Sequence, residues 1–165
     1  MPENREKRSV LFVCMGNICR SPMAEGVFSR RLAHRASHLN IEIDSAGTHG
    51  YHAGSPPDER AQGAAARRGI DMSSLVARAV TADDFDKFDY ILAMDTGNLE
   101  FLLNMAAPAQ RGKIRLFFDY SAGRPGGEVP DPYYGGPAGF ERVLDLIEEA
   151  TEGLIDELIN AANRD

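Results

Sequence analysis

Val10-Leu11-Phe12-Val13 is an unbroken apolar run. It feeds directly into Cys14-Met15-Gly16-Asn17-Ile18-Cys19-Arg20-Ser21, and a helical pattern opens at Ser21-Pro22. Branched and aromatic residues without polar alternation predict a strand buried on both faces, as in a parallel sheet. Pro22 suits the first helical position, where its missing N–H would have had no partner. Ala24, Val27, Phe28 and Leu32 then recur at helical spacing, and His34, Arg35 and His38 suit a helix C-terminus. A buried strand, a loop and a helix in immediate succession confine the chain to folds in which helices cover a parallel sheet.

The remaining pattern agrees. Ile41-Glu42-Ile43, Tyr90–Met94 and Ile114–Phe118 read as three further strands. Between them lie helical segments at Asp58–Arg68, closed by Gly69, at Asp83–Phe88, and at Asn98–Ala107, stopped by Pro108. Residues 121–137 hold five Gly and four Pro and read as a long functional loop. The last helix carries an apolar stripe of Phe140, Val143, Leu144, Ile147, Leu154, Ile155 and Leu158. Strands alternating with helices predict an α/β fold with a four-stranded parallel sheet flanked by helices. Residues 1–8 form a polar tail, expected to be disordered, and 9–163 a single domain of the 165 residues.

In such folds ligands bind beyond the carboxyl ends of the strands, so the Cys14–Ser21 loop is the first candidate site. Amides in a tight loop can point inward together, and the following helix adds positive potential. Gly16 is expected to permit a backbone conformation closed to other residues, and Asn17 tolerates left-handed geometry. Arg20 supplies a planar fork for two oxygens of a phosphate. In that setting Cys14 is expected to be a thiolate, a nucleophile facing a bound tetrahedral anion. A lone cysteine or arginine reads as a core filler or a surface ion pair; the whole set between strand and helix does not.

These residues and their flanks, VLFVCMGNICRSPMAEGVF, resemble the low-molecular-weight protein tyrosine phosphatases and their Cys-x5-Arg-Ser signature. The likeness continues through IDSAGT, RGIDMS, VARAVT, DFDKFDYILAMD and, near the last helix, DPYYGG. The resemblance implies a flavodoxin-like three-layer fold and hydrolysis of phosphotyrosine through a phosphocysteine. It assigns Cys14 as nucleophile, Arg20 and the amides of Met15, Gly16, Asn17, Ile18 and Cys19 as phosphate ligands, and Ser21 as a hydrogen-bond donor to the thiolate. Asp131 of the DPYY motif becomes the general acid, although Asp-Pro by itself reads as a turn. Tyr133 and Tyr134 would flank the pocket mouth, with Tyr51 a further wall. Ser45 would brace Asn17, and Asp95 and Glu25 would orient partners behind the loop. Many relatives carry a histidine just after the stretch matching Asp71-Met72-Ser73, and Ser73-Ser74-Leu75 has none, so the support behind Asn17 must differ. Cys19 is expected to serve as a redox partner of Cys14, trapping its sulfenic acid as a disulfide.

No metal or organic cofactor is implied, and His49 and His52 lack further ligands at metal spacing. A net charge of −7 disfavours nucleic acid, and no apolar run approaches a membrane span. The expected partners are phosphotyrosine-containing proteins and a tyrosine kinase, in the cytoplasm. Other readings remain open at this point. An arsenate reductase of the same architecture would need downstream cysteines, and Cys14 and Cys19 are the only two. A protein arginine phosphatase would favour a small polar residue at Ile18. A silent anion-binding or redox-sensing module would have no use for Asp131.

Overall fold

Strand β1 (Arg8–Cys14) lies at the heart of the molecule, hydrogen-bonded on one side to β2 (Ile41–Gly47) and on the other to β3 (Tyr90–Ala93). Strand β4 (Ile114–Leu116) pairs with β3, and all neighbours are parallel in the order β2-β1-β3-β4. The computed structural model describes residues 7–123, 126–133 and 136–164. Arg8, assigned above to the tail, is the first residue of β1.

The apolar run in β1 has no alternation because both faces of the sheet are covered. Val10 and Phe12 belong to a core shared with α1 (Arg20–Arg35), α2 (Glu59–Ala66) and α5 (Pro137–Arg164). Leu11 and Val13 belong to a second core with Phe85 of α3 (Asp84–Lys87), Phe88 and Leu102 of α4 (Thr96–Met105). Phe12 meets Phe28 and Phe117 edge-on at 5.6 and 5.1 Å. Each such fully buried side chain contributes about 1.5–3 kcal/mol relative to exposure. Every residue of the α5 stripe named above is buried. Among the described residues no helix is long and apolar enough to cross a membrane.

Several element boundaries move. Strand β2 runs four residues past Ile43, through Asp44, Ser45 and Ala46 to Gly47, because its pairing with β1 is made by the backbone and continues to Cys14 opposite Gly47. Phe117 and Phe118 leave β4 for a 3-10 turn over Phe117–Tyr120, their rings still buried. Helix α1 starts at Arg20, so Pro22 is its third residue, still among the four first-turn positions that lack an intrahelical acceptor. It ends at Arg35, leaving His38 outside. Helix α4 begins at Thr96, two residues early, because the Asp95 side chain caps it by accepting from the Asn98 amide at 2.7 Å.

With β1 flanked by β2 on one side and β3 on the other, chain direction across the sheet reverses at its carboxyl end. That is the crevice where open α/β sheets place their ligands.

Candidate active site

The loop between β1 and α1 is tied down from outside by its carbonyls. Cys14 and Met15 accept from the amides of Thr48 and His49 at 2.9 and 3.1 Å, and Ile18 accepts from Asp58 at 2.8 Å. Gly47 permits this close approach, since a Cβ there would stand 2.7 Å from the Met15 carbonyl oxygen. The inner side of the loop is left to its amides. Among the described residues, the N–H groups of Met15, Gly16, Ile18, Cys19 and Arg20 find no acceptor, and that of Asn17 donates to Cys14 Sγ at 3.3 Å. Helix α1 has no capping side chain and no acidic residue in its first turn, so its positive end is unneutralised toward the loop.

Asn17 takes the left-handed conformation, at φ 57°. Gly16 does not, contrary to expectation; what it provides is room, because a Cβ there would lie 3.1 Å from the His52 ring. The Asn17 side-chain amide donates to Ser21 Oγ at 2.8 Å and Ser45 Oγ at 3.0 Å, and its Oδ1 accepts from the Arg78 backbone N–H at 3.0 Å. With the Asn17 hydrogens directed at its oxygen, the Ser21 hydroxyl has two acceptors for its one hydrogen, Cys14 Sγ at 3.0 Å and the Ala46 carbonyl at 3.4 Å, and the sulfur is the nearer. Ser45 in turn donates to Glu25 at 2.7 Å. Burial pushes the Glu25 carboxyl above its ordinary range, against the Ser45 hydrogen bond that favours its charge.

Arg78 therefore supplies support behind Asn17 that sequence reasoning missed. Its guanidinium is clamped by Asp44 at 3.0 Å and Asp84 at 2.9 Å, which fixes the backbone that donates to Asn17. No local spacing announces this, because the useful group is a main-chain N–H brought in by tertiary packing.

Arg20 is 3% exposed and bridges three segments. It donates to Asp95 at 2.7 Å and to the Val129 carbonyl at 3.1 Å, and its other terminal nitrogen stands 3.7 Å from Asp131 Oδ2. Burial opposes its charge, but Cys14 and the hydrogen bond and charge of Asp95 outweigh that and hold the guanidinium above its ordinary value. Asp131 divides its two oxygens: Oδ1 accepts from the Tyr133 amide at 3.0 Å in a local turn, and Oδ2 faces Arg20. The turn expected of Asp-Pro is thus present, and it leaves the second oxygen to the site.

A cavity of about 370 Å³ collects Cys14, Met15, Gly16, Ile18, Cys19, Arg20, Tyr51, His52, Asp131 and Tyr133. Asn17, Ser21 and Ser45 form a network outside the cavity lining, with Glu25 behind Ser45 and Asp95 behind Arg20. Tyr134 lies outside the described residues. Tyr51 is 83% exposed and forms an outer wall. The Arg60 guanidinium sits over the Tyr133 ring at 5.3 Å and the Phe140 ring at 4.9 Å, joining the pocket rim to α5. Burial, and then the charges of Asp58, Cys14 and Asp131, push the Cys19 thiol up to about 12 although Arg60 pulls the other way. Cys19 therefore keeps its proton at neutral pH.

Comparison with known proteins agrees with this geometry. Residues 9–164 match the sequence profile of the low molecular weight phosphotyrosine protein phosphatases. The chain is 45% identical over 147 residues to the low molecular weight protein-tyrosine-phosphatase YfkJ of Bacillus subtilis strain 168, covering 89% of this chain and 93% of that relative. It is 46% identical over 138 residues to the low molecular weight phosphotyrosine protein phosphatase of Homo sapiens, covering 82% and 86%. A crystal structure of a protein tyrosine phosphatase from Entamoeba histolytica, with Hepes in its active site, superimposes with a TM-score of 0.89 at 42% identity, covering 93% of this chain and 98% of that one. The chain belongs to the low molecular weight phosphotyrosine protein phosphatases.

Proposed function

We propose that this phosphatase works through a Cys14 thiolate and an Asp131 acid in two steps. Cys14 Sγ attacks the phosphorus of a phosphotyrosine. The bond from phosphorus to the tyrosine oxygen breaks as Asp131 gives its proton to that oxygen. Asp131, now a carboxylate, takes a proton from water as the water attacks the phosphocysteine. The sulfur–phosphorus bond breaks, releasing inorganic phosphate, the thiolate and a protonated Asp131. Arg20 and the unpaired loop amides hold the equatorial oxygens throughout, a preorganised charge complement that needs no rearrangement during reaction.

The observation that carries this reading is the convergence of Cys14, Arg20 and Asp131 on one cavity beside which the loop amides of Met15, Gly16, Ile18, Cys19 and Arg20 lack acceptors among the described residues. Ile18, Tyr51 and Tyr133 line the same cavity and supply apolar walls for an aromatic ring, which supports phosphotyrosine over the short stem of phosphoserine. The substrates are phosphotyrosine-containing proteins, with a tyrosine kinase as the counterpart that makes them. A nucleophilic thiol needs a reducing compartment, and we infer a cytoplasmic location on that ground.

The test is hydrolysis of p-nitrophenyl phosphate and of matched phosphotyrosine and phosphoserine peptides, without added metal. The parent protein is expected to turn over the two aryl phosphates and to be inhibited by vanadate, whereas Cys14→Ser loses about 10⁴-fold or more. Turnover retained in Cys14→Ser, or equal on the two peptides, would overturn the reading.

A further inference from the structure

Beside the reaction pocket lies a second cavity, of about 390 Å³, that the mechanism does not use. Met15 lines both cavities, and Asp95, at the edge of the second, holds Arg20 of the first. A strip of rings joins them. Tyr51 stacks on His49 at 5.6 Å with 7° between planes, and His49 meets Phe101 of α4 at 5.8 Å. Phe101 and Met15 are 38% and 50% exposed, so the strip ends in apolar surface open to a ligand.

The polar end of this cavity has a definite sign. Among the described residues it contains the carboxylates of Asp95 and Glu128 and no lysine or arginine. Two first-turn amides of α4 are already taken there: Glu128 accepts from Thr96 at 2.7 Å and Asp95 from Asn98. An anion would find no donor in those two and would meet the Glu128 carboxylate, the Asp95 charge being already paired with Arg20 at 2.7 Å. Asn98 also lines the cavity. It is 4% exposed, and its Oδ1 is buried without a partner among the described residues. An acceptor left unpaired in this way costs free energy that an incoming donor would recover.

From these features we propose that the second cavity is a substrate subsite for an arginine or lysine flanking the phosphotyrosine. The aliphatic stem of such a residue lies along Met15, His49 and Phe101, and its head donates to Glu128 and Asn98 Oδ1. This rests on the phosphatase reading above and adds to it a class of protein substrate: segments in which the phosphotyrosine has a basic neighbour.

The experiment measures kcat/KM on phosphotyrosine peptides carrying arginine, alanine or glutamate at one flanking position at a time, with p-nitrophenyl phosphate alongside. At one position arginine is expected to exceed alanine by roughly tenfold, chiefly through KM, with glutamate poorest. Glu128→Gln keeps the acceptor for Thr96 and removes the charge; Phe101→Ala removes the wall. Each is expected to bring the arginine-to-alanine ratio at that position close to one. Asp145→Asn, an equal charge change on α5, is expected to leave the ratio intact. Equal turnover of all peptides, a preference that survives in Glu128→Gln and Phe101→Ala, or a preference lost equally in Asp145→Asn would overturn the subsite. In those cases p-nitrophenyl phosphate is still hydrolysed; failure of the parent on it and on every peptide would overturn the phosphatase reading instead.

Discussion

The loop that holds the proposed nucleophile and the segment that carries the proposed acid are built in opposite ways. Cys14, Asn17, Arg20 and Ser21 are all 4% exposed or less, and the loop between them is fastened through its carbonyls and through Asn17 to β2 and the Arg78 backbone. The acid segment is pinned through the buried Val129, which donates to the Met94 carbonyl at 2.8 Å and accepts from Arg20. Two residues further on, the Asp131 side chain is 45% exposed. The contrast separates two demands on the site. Binding a tetrahedral anion requires donors fixed before it arrives, and proton transfer requires a carboxyl that can reach a leaving oxygen and then a water.

If the segment serves only proton transfer, its loss should be graded by the leaving group. Asp131→Ala is expected to slow release of tyrosine by about 10²–10⁴, and to slow release of p-nitrophenol, which leaves readily without a proton, by much less. Single-turnover measurement of phenol release reads this step free of the later water attack. An equal factor for both phenols, or none, would make Asp131 a turn residue and erase the distinction between the two regions.

The loop side predicts a different failure. Asn17→Ala removes the partner of Ser21, Ser45 and the Arg78 amide together and puts an alanine at φ 57°. It should cost about 3 kcal/mol of stability and lower kcat by at least about tenfold. Asn17→Gly restores backbone freedom without the hydrogen bonds, so it should recover part of the stability and little of the activity. Recovery of both would mean that the conformation of the loop suffices and the side-chain network is idle.

The smallest effect lies at the far end of that network. The folded-state pKa of Glu25 is raised, chiefly by burial, so the folded protein holds this proton more tightly than the unfolded chain. The contribution of Glu25 to stability is therefore full below its unfolded pKa and is lost as pH rises through its folded value. Glu25→Gln keeps an acceptor for Ser45 and cannot ionise. Its melting temperature should match the parent in acid and exceed it near neutral pH. A Gln variant less stable than the parent at neutral pH would show that the carboxylate charge anchors the loop.

Local spacing made one of these regions legible and hid the supports of both. Cys14, Arg20 and Ser21 are announced by a buried strand on one side and a helix start on the other. Ser45 was placed by likeness alone, because the apolar pattern of β2 stops at Ile43 while its backbone pairing runs on to Gly47. Phe117 and Phe118 read as strand because burial alone does not reveal which way the backbone turns. Arg78, Arg60 and Phe101 act through contacts across long sequence separations, which no periodicity records. Asp131 carries a turn and a site in one side chain, and its sequence signal is that of the turn.

The claim beneath the whole comparison is that the fixed loop receives the phosphoryl group covalently. Rapid mixing of the parent protein with a phosphotyrosine peptide, quenched into alkaline denaturant and digested for mass spectrometry, tests it directly. The account predicts one added phosphoryl group on the fragment containing Cys14, formed within the first turnover and absent in Cys14→Ser. Turnover of the peptide with no phosphorylated fragment at any time, or with the group on another residue, would contradict it.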